Sequence, residues 1–265
     1  MASNQDKVVN HYSNIEEDNR AKGSRSSGLE FHYTKKFISE YIAPESKVLE
    51  LGCATGYYGM FFSDKCAEYT GIDLSPDNIA VFNEKITAEK KVNVRARVGD
   101  ATNIHEIADN SFDVILCLGP MYHLPREERL KVFDECRRVA RPGGILAFAY
   151  INGIGAYVGA CVHDELRGKY PNADTNHSVF ELSTDDVLPG LFFFTSPEEM
   201  ENDAKQKNLE VLKSRGVNFD FASCAVNAMS DEQFEHYMTV VDKMSESSHC
   251  AGLSAHTLLF CRKGN

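Results

Sequence analysis

The densest concentration of potential chemistry lies in VLELGCATGYYG (48–59), where a short apolar run containing Glu50 passes through glycines at 52, 56 and 59. Glycines at such a turn let the backbone fold tightly and let a ligand approach with no Cβ in the way. ATGYYG approximates a G-x-G-x-x-G turn with Ala54 in the first place, so the motif alone is compatible with more than one adenosine-containing ligand. Three acids follow at successive run ends: Glu50, Asp73 in YTGID, and Asp100 in VGDA. A carboxylate beside the turn sits badly against a pyrophosphate and well against an ammonium or sulfonium. Asp73 can accept both hydroxyls of a ribose, and Asp100 suits the exocyclic amine of adenine. The plainer alternatives are a solvated strand end for Glu50 and a helix cap for Asp73. In this order and spacing the acids favour a cationic adenosyl sulfonium over NAD.

A second group surrounds Tyr122 and His123, which follow Gly119-Pro120 directly. His123 can orient an acceptor or take its proton; it can equally bond the loop backbone and shape the cavity. Tyr12, His11 and Arg20 near the amino end either fold over a ligand as a lid or lie on a solvated helix. Tyr157, His163, His177 and the run LFFF (191–194) offer substrate contacts or the packing of a cap. His163, Asp164 and His177 have no metal-ligand spacing, so no metal site is expected.

These residues need a scaffold, and the periodicity supplies one. KVLEL (47–51), YTGID (69–73), 92–98, FDVILCL (112–118) and ILAFAY (145–150) read as strands. The fourth is nearly all apolar, as a central parallel strand is. Helices are expected over 7–20, 29–41, 76–91 with Ser75 as N-cap and Pro76 next, and 126–140, ended by Pro142-Gly143-Gly144. Strands separated by helix-length segments imply right-handed crossovers and a parallel sheet. Regularity breaks from 152 to 194, too long for a plain connection. It returns with a helix starting at SPEEM (196–200), a strand in LEVLKSRGVNF, a polar helix over 231–247 and a last strand, HTLLFCRK (256–263).

The chain at this point resembles the class I S-adenosylmethionine-dependent methyltransferases, from KVLELGCATG through YTGIDLS, VGDATNI, FDVILCLGPMYHL and RPGGILAFAY. The resemblance covers about residues 45–151, and HTLLFCRK resembles the closing antiparallel strand. LGPMYHL is similar to a segment of small bacterial methyltransferases with LGP-x-YHL. The resemblance implies a Rossmann-like seven-stranded α/β sheet of order 3-2-1-4-5-7-6, helices on both faces and an inserted cap. It implies S-adenosylmethionine as cofactor. Gly52, Ala54 and Gly56 would pass its methionine and ribose, with Tyr57 alongside. Asp73 would hold the ribose, Leu74 pack on adenine, Asp100 and Ala101 read the base edge, and Leu118 offer its carbonyl to the ammonium. Ala54 departs from the glycine common in the family. Methyl transfer is an in-line displacement with an excellent leaving group, so alignment and exclusion of water matter most. A base is needed only for an acceptor whose proton has a high pKa.

Composition sets the outer bounds. The 265 residues, 43% hydrophobic, suit one elaborated α/β domain: residues 1–30 as a helical lid and 31–265 as the methyltransferase domain, with 152–194 as its substrate-facing insertion. Eight scattered cysteines without a CxxC pair read as reduced thiols. No apolar run approaches the roughly 20 residues that cross a bilayer, and the polar start lacks a signal core, so a cytoplasmic protein is expected. A net charge of −11 argues against a nucleic-acid partner. The expected activity is methyl transfer to an O or N atom of a small molecule, by a monomer or homodimer. Two other readings stay open: a cofactor-binding module without catalysis, and a NAD-dependent reductase, whose Tyr-x-x-x-Lys pattern is missing.

Overall fold

The computed structural model describes residues 4–12, 23–162, 169, 172–173, 191–219 and 223–264. Its centre is a seven-stranded sheet of order β3-β2-β1-β4-β5-β7-β6. The strands are β1 (Lys47–Leu51), β2 (Glu68–Asp73), β3 (Val94–Val98), β4 (Phe112–Cys117), β5 (Ala140–Ile151), β6 (Leu209–Gly216) and β7 (His256–Lys263). Strands β3-β2-β1-β4-β5 are parallel, while β7 runs antiparallel between β5 and β6. Order and direction are those implied by the family resemblance. β4 is buried along almost its whole length, which fits its apolar sequence and central place.

The helices are α1 (Asn4–Tyr12), α2 (Arg25–Ile38), α3 (Tyr57–Phe62), α4 (Pro76–Ala88), α5 (Arg126–Val139), α6 (Gly153–Val162), α7 (Pro197–Gln206), α8 (Ser223–Ala228) and α9 (Asp231–Glu246). Each face of the sheet carries its own core. On one side Leu29, Tyr33 and Phe37 of α2 meet Phe62, Phe82, Val48 and Val241; on the other Val132, Phe133 and Cys136 of α5 meet Ile115, Phe148 and Met200. Side chains start the helices as expected: the Ser75 side chain accepts from the Asn78 amide, and that of Ser196 from Glu199.

Several boundaries differ from the sequence reading. α1 ends at Tyr12, and the rest of the helix expected over 7–20 lies outside the described residues. α2 starts at Arg25, set by a Ser24/Ser27 capping box, and so spans the boundary drawn at residue 30. α5 stops at Val139, and Pro142-Gly143-Gly144, expected to end it, lies within the long β5, whose pairing with β4 shifts register there. The stretch after 151 is helical at first, as α6. Asn152 explains this sharp start: its buried side-chain amide donates to the carbonyls of Gly252 and Ser254 and fixes the turn off the sheet. All eight cysteines are free. Among the described residues no helix is long and apolar enough to cross a membrane.

Candidate active site

The carboxyl ends of β1, β2 and β4 open onto one cavity, where a doubly wound sheet places its ligands. Its floor is the turn after β1. Gly52 (φ 77°), Ala54 (φ 45°) and Gly56 (φ 83°) all take left-handed backbone there. The turn is pinned to β2: the amides of Gly52 and Cys53 both donate to the carbonyl of Ile72, at 2.8 and 3.1 Å. Ala54 is held in its unfavourable region by its own amide, which donates to Asp73 Oδ2 at 2.8 Å. Gly56 does not line the cavity; a Cβ there would stand 2.1 Å from the Phe82 ring, so its glycine serves packing.

Asp73 is therefore a clamp as well as a wall residue. Its Oδ1 accepts from the Ser75 amide at 2.9 Å, and burial raises its pKa while these hydrogen bonds oppose the shift. The Asn78 side-chain amide also donates to Oδ1, at 3.4 Å, so of a carboxylate's about four acceptor positions one is left, on Oδ2, for a ribose hydroxyl. Asp100 Oδ1 accepts from the Thr102 amide and hydroxyl at 2.8 Å each, and its Oδ2 accepts from the side-chain amide of Gln5, on α1, at 2.5 Å. An NH2 donor thus stands where an adenine amine would be read. Tyr57, Leu74, Ala101 and Leu118 line the same cavity.

Glu50 is 1% exposed yet forms part of this wall. Burial pushes its carboxyl up to about 8, against the Tyr69 hydroxyl, which donates to Glu50 Oε2 at 2.5 Å. Among the described wall residues none is lysine or arginine, while Glu30, Glu50, Asp73 and Asp100 all belong to it. This donor set fits a cationic nucleoside and gives no counter-charge to a pyrophosphate. No group of His, Cys, Asp and Glu among the described residues could hold a metal ion.

Across the cavity, a single 3-10 turn (Pro120–His123) places Tyr122 and His123 after β4. Gly52 permits this approach, since a Cβ on it would lie 2.6 Å from Pro120 Cδ. The Tyr122 hydroxyl donates to the Leu118 carbonyl at 3.3 Å. His123 Nδ1 lies 2.8 Å from the Leu191 carbonyl, which can only accept, so Nδ1 carries the proton. Nε2 of the neutral ring then accepts from the Tyr12 hydroxyl at 2.8 Å. Phe192 packs against His123 with ring centroids 4.9 Å apart, and the Phe193 amide donates to the Tyr122 carbonyl. Both readings of His123 are thus compatible with its surroundings: it bonds the returning loop and faces the cavity.

The structure brings together Glu50, Gly52, Ala54, Tyr57, Asp73, Leu74, Asp100, Ala101, Leu118, Tyr122, His123 and Tyr12. Tyr157 lies on α6 and does not line the cavity. Arg20, His163 and His177 lie outside the described residues. Two wall residues had no signal in the sequence: Glu30 on α2 and His256 at the start of β7, with Glu30 Oε1 3.5 Å from His256 Nδ1. Only the packing of α2 against the folded sheet makes them neighbours.

Comparison with known proteins bears on the domain and the fold. Residues 48–144 match the family profile described as a methyltransferase domain. The chain is 32% identical to a phosphoethanolamine N-methyltransferase of Plasmodium falciparum over 46% of its own length and 44% of that protein's. It is 26% identical to a ubiquinone biosynthesis O-methyltransferase of Paracidovorax citrulli over 66% and 67% of the two chains. The match therefore spans less than half of the Plasmodium protein. Among solved structures, the [4+2]-cyclase SpnF superposes with a TM-score of 0.62 at 17% identity, covering 99% of this chain and 97% of that one. A Haemonchus contortus phosphoethanolamine N-methyltransferase 2 in complex with S-adenosyl-L-methionine gives 0.58 at 15%, covering 88% of this chain and 53% of the other. Residues 48–144 thus match a methyltransferase domain, and the chain as a whole has the seven-stranded fold of the class I S-adenosylmethionine-dependent methyltransferases.

Proposed function

We propose that the protein transfers the methyl group of S-adenosylmethionine to an oxygen or nitrogen atom of a small-molecule acceptor, with Tyr12 and His123 removing the acceptor's proton. The observation that carries this reading is the 2.8 Å hydrogen bond between the Tyr12 hydroxyl and His123 Nε2 in the wall of the acid-lined cavity. When bound, the donor supplies a methyl group on a positively charged sulfur, whose bond breaks with its electrons left on sulfur. Asp73, Asp100 and Leu118 would hold the adenosine and methionine portions at the carboxyl ends of the strands. The acceptor would stand on the Tyr122–His123 side, its lone pair aimed along the breaking bond. As that lone pair forms the new bond, the Tyr12 oxygen takes the acceptor's proton and passes its own to His123 Nε2. The Leu191 carbonyl keeps the imidazole in the tautomer that can receive it.

α1 is the lid in this reading, because Gln5, Val8, Val9 and Tyr12 all lie against the cavity. Residues 152–194 form the acceptor-side insertion, whose returning end, Leu191–Phe193, is bonded to Tyr122 and His123. LGPMYHL supports a reading of the chain as one of the small bacterial methyltransferases with that segment, acting in the cytoplasm as a monomer or homodimer, and the net charge of −11 supports the absence of a nucleic-acid partner. The test is a coupled assay for the sulfide product over a panel of amines, phenols and amino alcohols. Turnover of at least one compound is expected, with kcat lowered about 10²–10⁴-fold in H123N and Y12F and donor affinity kept. Undiminished kcat in both variants would remove the proton-transfer role.

A further inference from the structure

We propose that Glu50 reads the charge on the donor's sulfur: its carboxyl holds a proton in the free protein, releases it when the sulfonium binds, and takes it back once transfer has left a neutral sulfide. The inference rests on the reading that this cavity holds S-adenosylmethionine.

The groups around Glu50 make the case. It sits on β1 between β2 and β4, opposite Gly71 on one side and Leu116 on the other. From β2 come the Tyr69 hydroxyl, in contact at 2.5 Å, and the carboxylate of Asp73, whose charge further disfavours ionisation of Glu50. The turn contributes the Cys53 thiol and α3 the Tyr58 phenol, both pushed up by burial and by their proximity to Glu50. α2 adds Glu30 to the same wall. β4 presents only apolar side chains over Val114–Cys117. The charged groups that face Glu50 from β2 and from the wall are the acids Asp73 and Glu30; His256, in the same wall, lies against Glu30. No described lysine, arginine or histidine forms an ion pair with it, although Lys47 and His256 pair with other acids.

A buried carboxyl with no cationic partner is costly to ionise, and the cavity is where a cation can reach it. With the carboxyl pushed up to about 8, most of the free protein carries the proton at neutral pH. A sulfonium in the cavity reverses the balance and favours the carboxylate. The two ligands of the reaction differ by one methyl group and one positive charge. Glu50 thus weakens the hold on the product relative to the donor without any contact unique to either, which aids exchange after each turnover.

The experiment is isothermal titration calorimetry with S-adenosylmethionine and, separately, S-adenosylhomocysteine. Running each at pH 7 in phosphate and in Tris gives the number of protons released. The donor is expected to release about one proton more than the product, and its affinity relative to the product to rise from pH 6 to pH 8 by up to about tenfold per unit. E50Q should bind S-adenosylhomocysteine with neither the proton difference nor the pH slope. Equal proton counts for the two ligands in the wild-type protein would overturn the proposal, as would an unchanged slope in E50Q. The wild-type proton count decides the matter even if E50Q does not fold. Failure to bind either ligand is a different result and removes the cofactor reading itself.

Discussion

At the scale of single residues, the proposed chemistry rests on acids placed at or just past the ends of strands. Asp73 has two tasks, holding the turn through the Ala54 amide and facing the cavity, so its loss should be felt in both. Asp73→Ala is expected to weaken S-adenosylhomocysteine binding by about 1.5–3 kcal/mol, the range for lost hydrogen bonds to a charged group; calorimetric titration checks this, and unchanged affinity would show that the ligand lies elsewhere. These acids were legible in the sequence because each lies at or just past the carboxyl end of a run that reads as a strand. Tyr122 and His123 were legible by the same logic after β4. The partner of His123 was not: Tyr12 lies 111 positions away, and only folding reveals the hydrogen bond. Glu30 and His256 carried even less signal, since neither belongs to a motif.

At the scale of elements, the turn after β1 depends on interlocking between the two helices that follow β1 and β2. Gly56 opens α3 in left-handed backbone with the Phe82 ring of α4 against it. Gly56→Ala combines a positive φ, costing roughly 1–2 kcal/mol, with overpacking of about 1–3 kcal/mol. Its melting temperature should fall by several degrees in differential scanning calorimetry, and an unchanged value would mean the turn relaxes freely. The sequence placed glycine here for ligand approach; the reason found in the structure is the aromatic ring behind it. Element types followed from periodicity, with β7 matching its expected range of 256–263 to the residue. Boundaries erred where tertiary pairing overrode local signals. Pro142-Gly143-Gly144 reads locally as a stop, yet pairing with β4 on either side of it absorbs it into β5 through a register shift. The start of α6 was hidden because its Gly-rich, apolar sequence shows no helical stripe; Asn152 and its two carbonyl acceptors fix it instead.

At the scale of the whole molecule, the sheet order gathers side chains from both ends of the chain around one cavity, from Gln5 on α1 to Leu258 on β7. The fold alone does not choose the chemistry, since a [4+2]-cyclase superposes along nearly its full length. In the proposed function the choice comes from the acids and their burial, and burial has a consequence for stability. Glu50 is pushed from 4.5 up to about 8 in the folded protein. Its folded form binds more protons than the unfolded chain between these values, so its contribution is fully present below about 4.5 and is lost as pH rises through about 8. The melting temperature of the ligand-free wild-type protein should therefore fall between pH 6 and pH 9, with a smaller fall in E50Q. Parallel curves for the two proteins would contradict the burial assigned to Glu50. The central claim, that this acid-lined cavity holds a cationic adenosine donor and not a pyrophosphate cofactor, is tested most directly by titrating the wild-type protein with S-adenosylhomocysteine and with NADH in one calorimetric experiment. Saturable binding of S-adenosylhomocysteine alone is the predicted result; binding of NADH alone would contradict it.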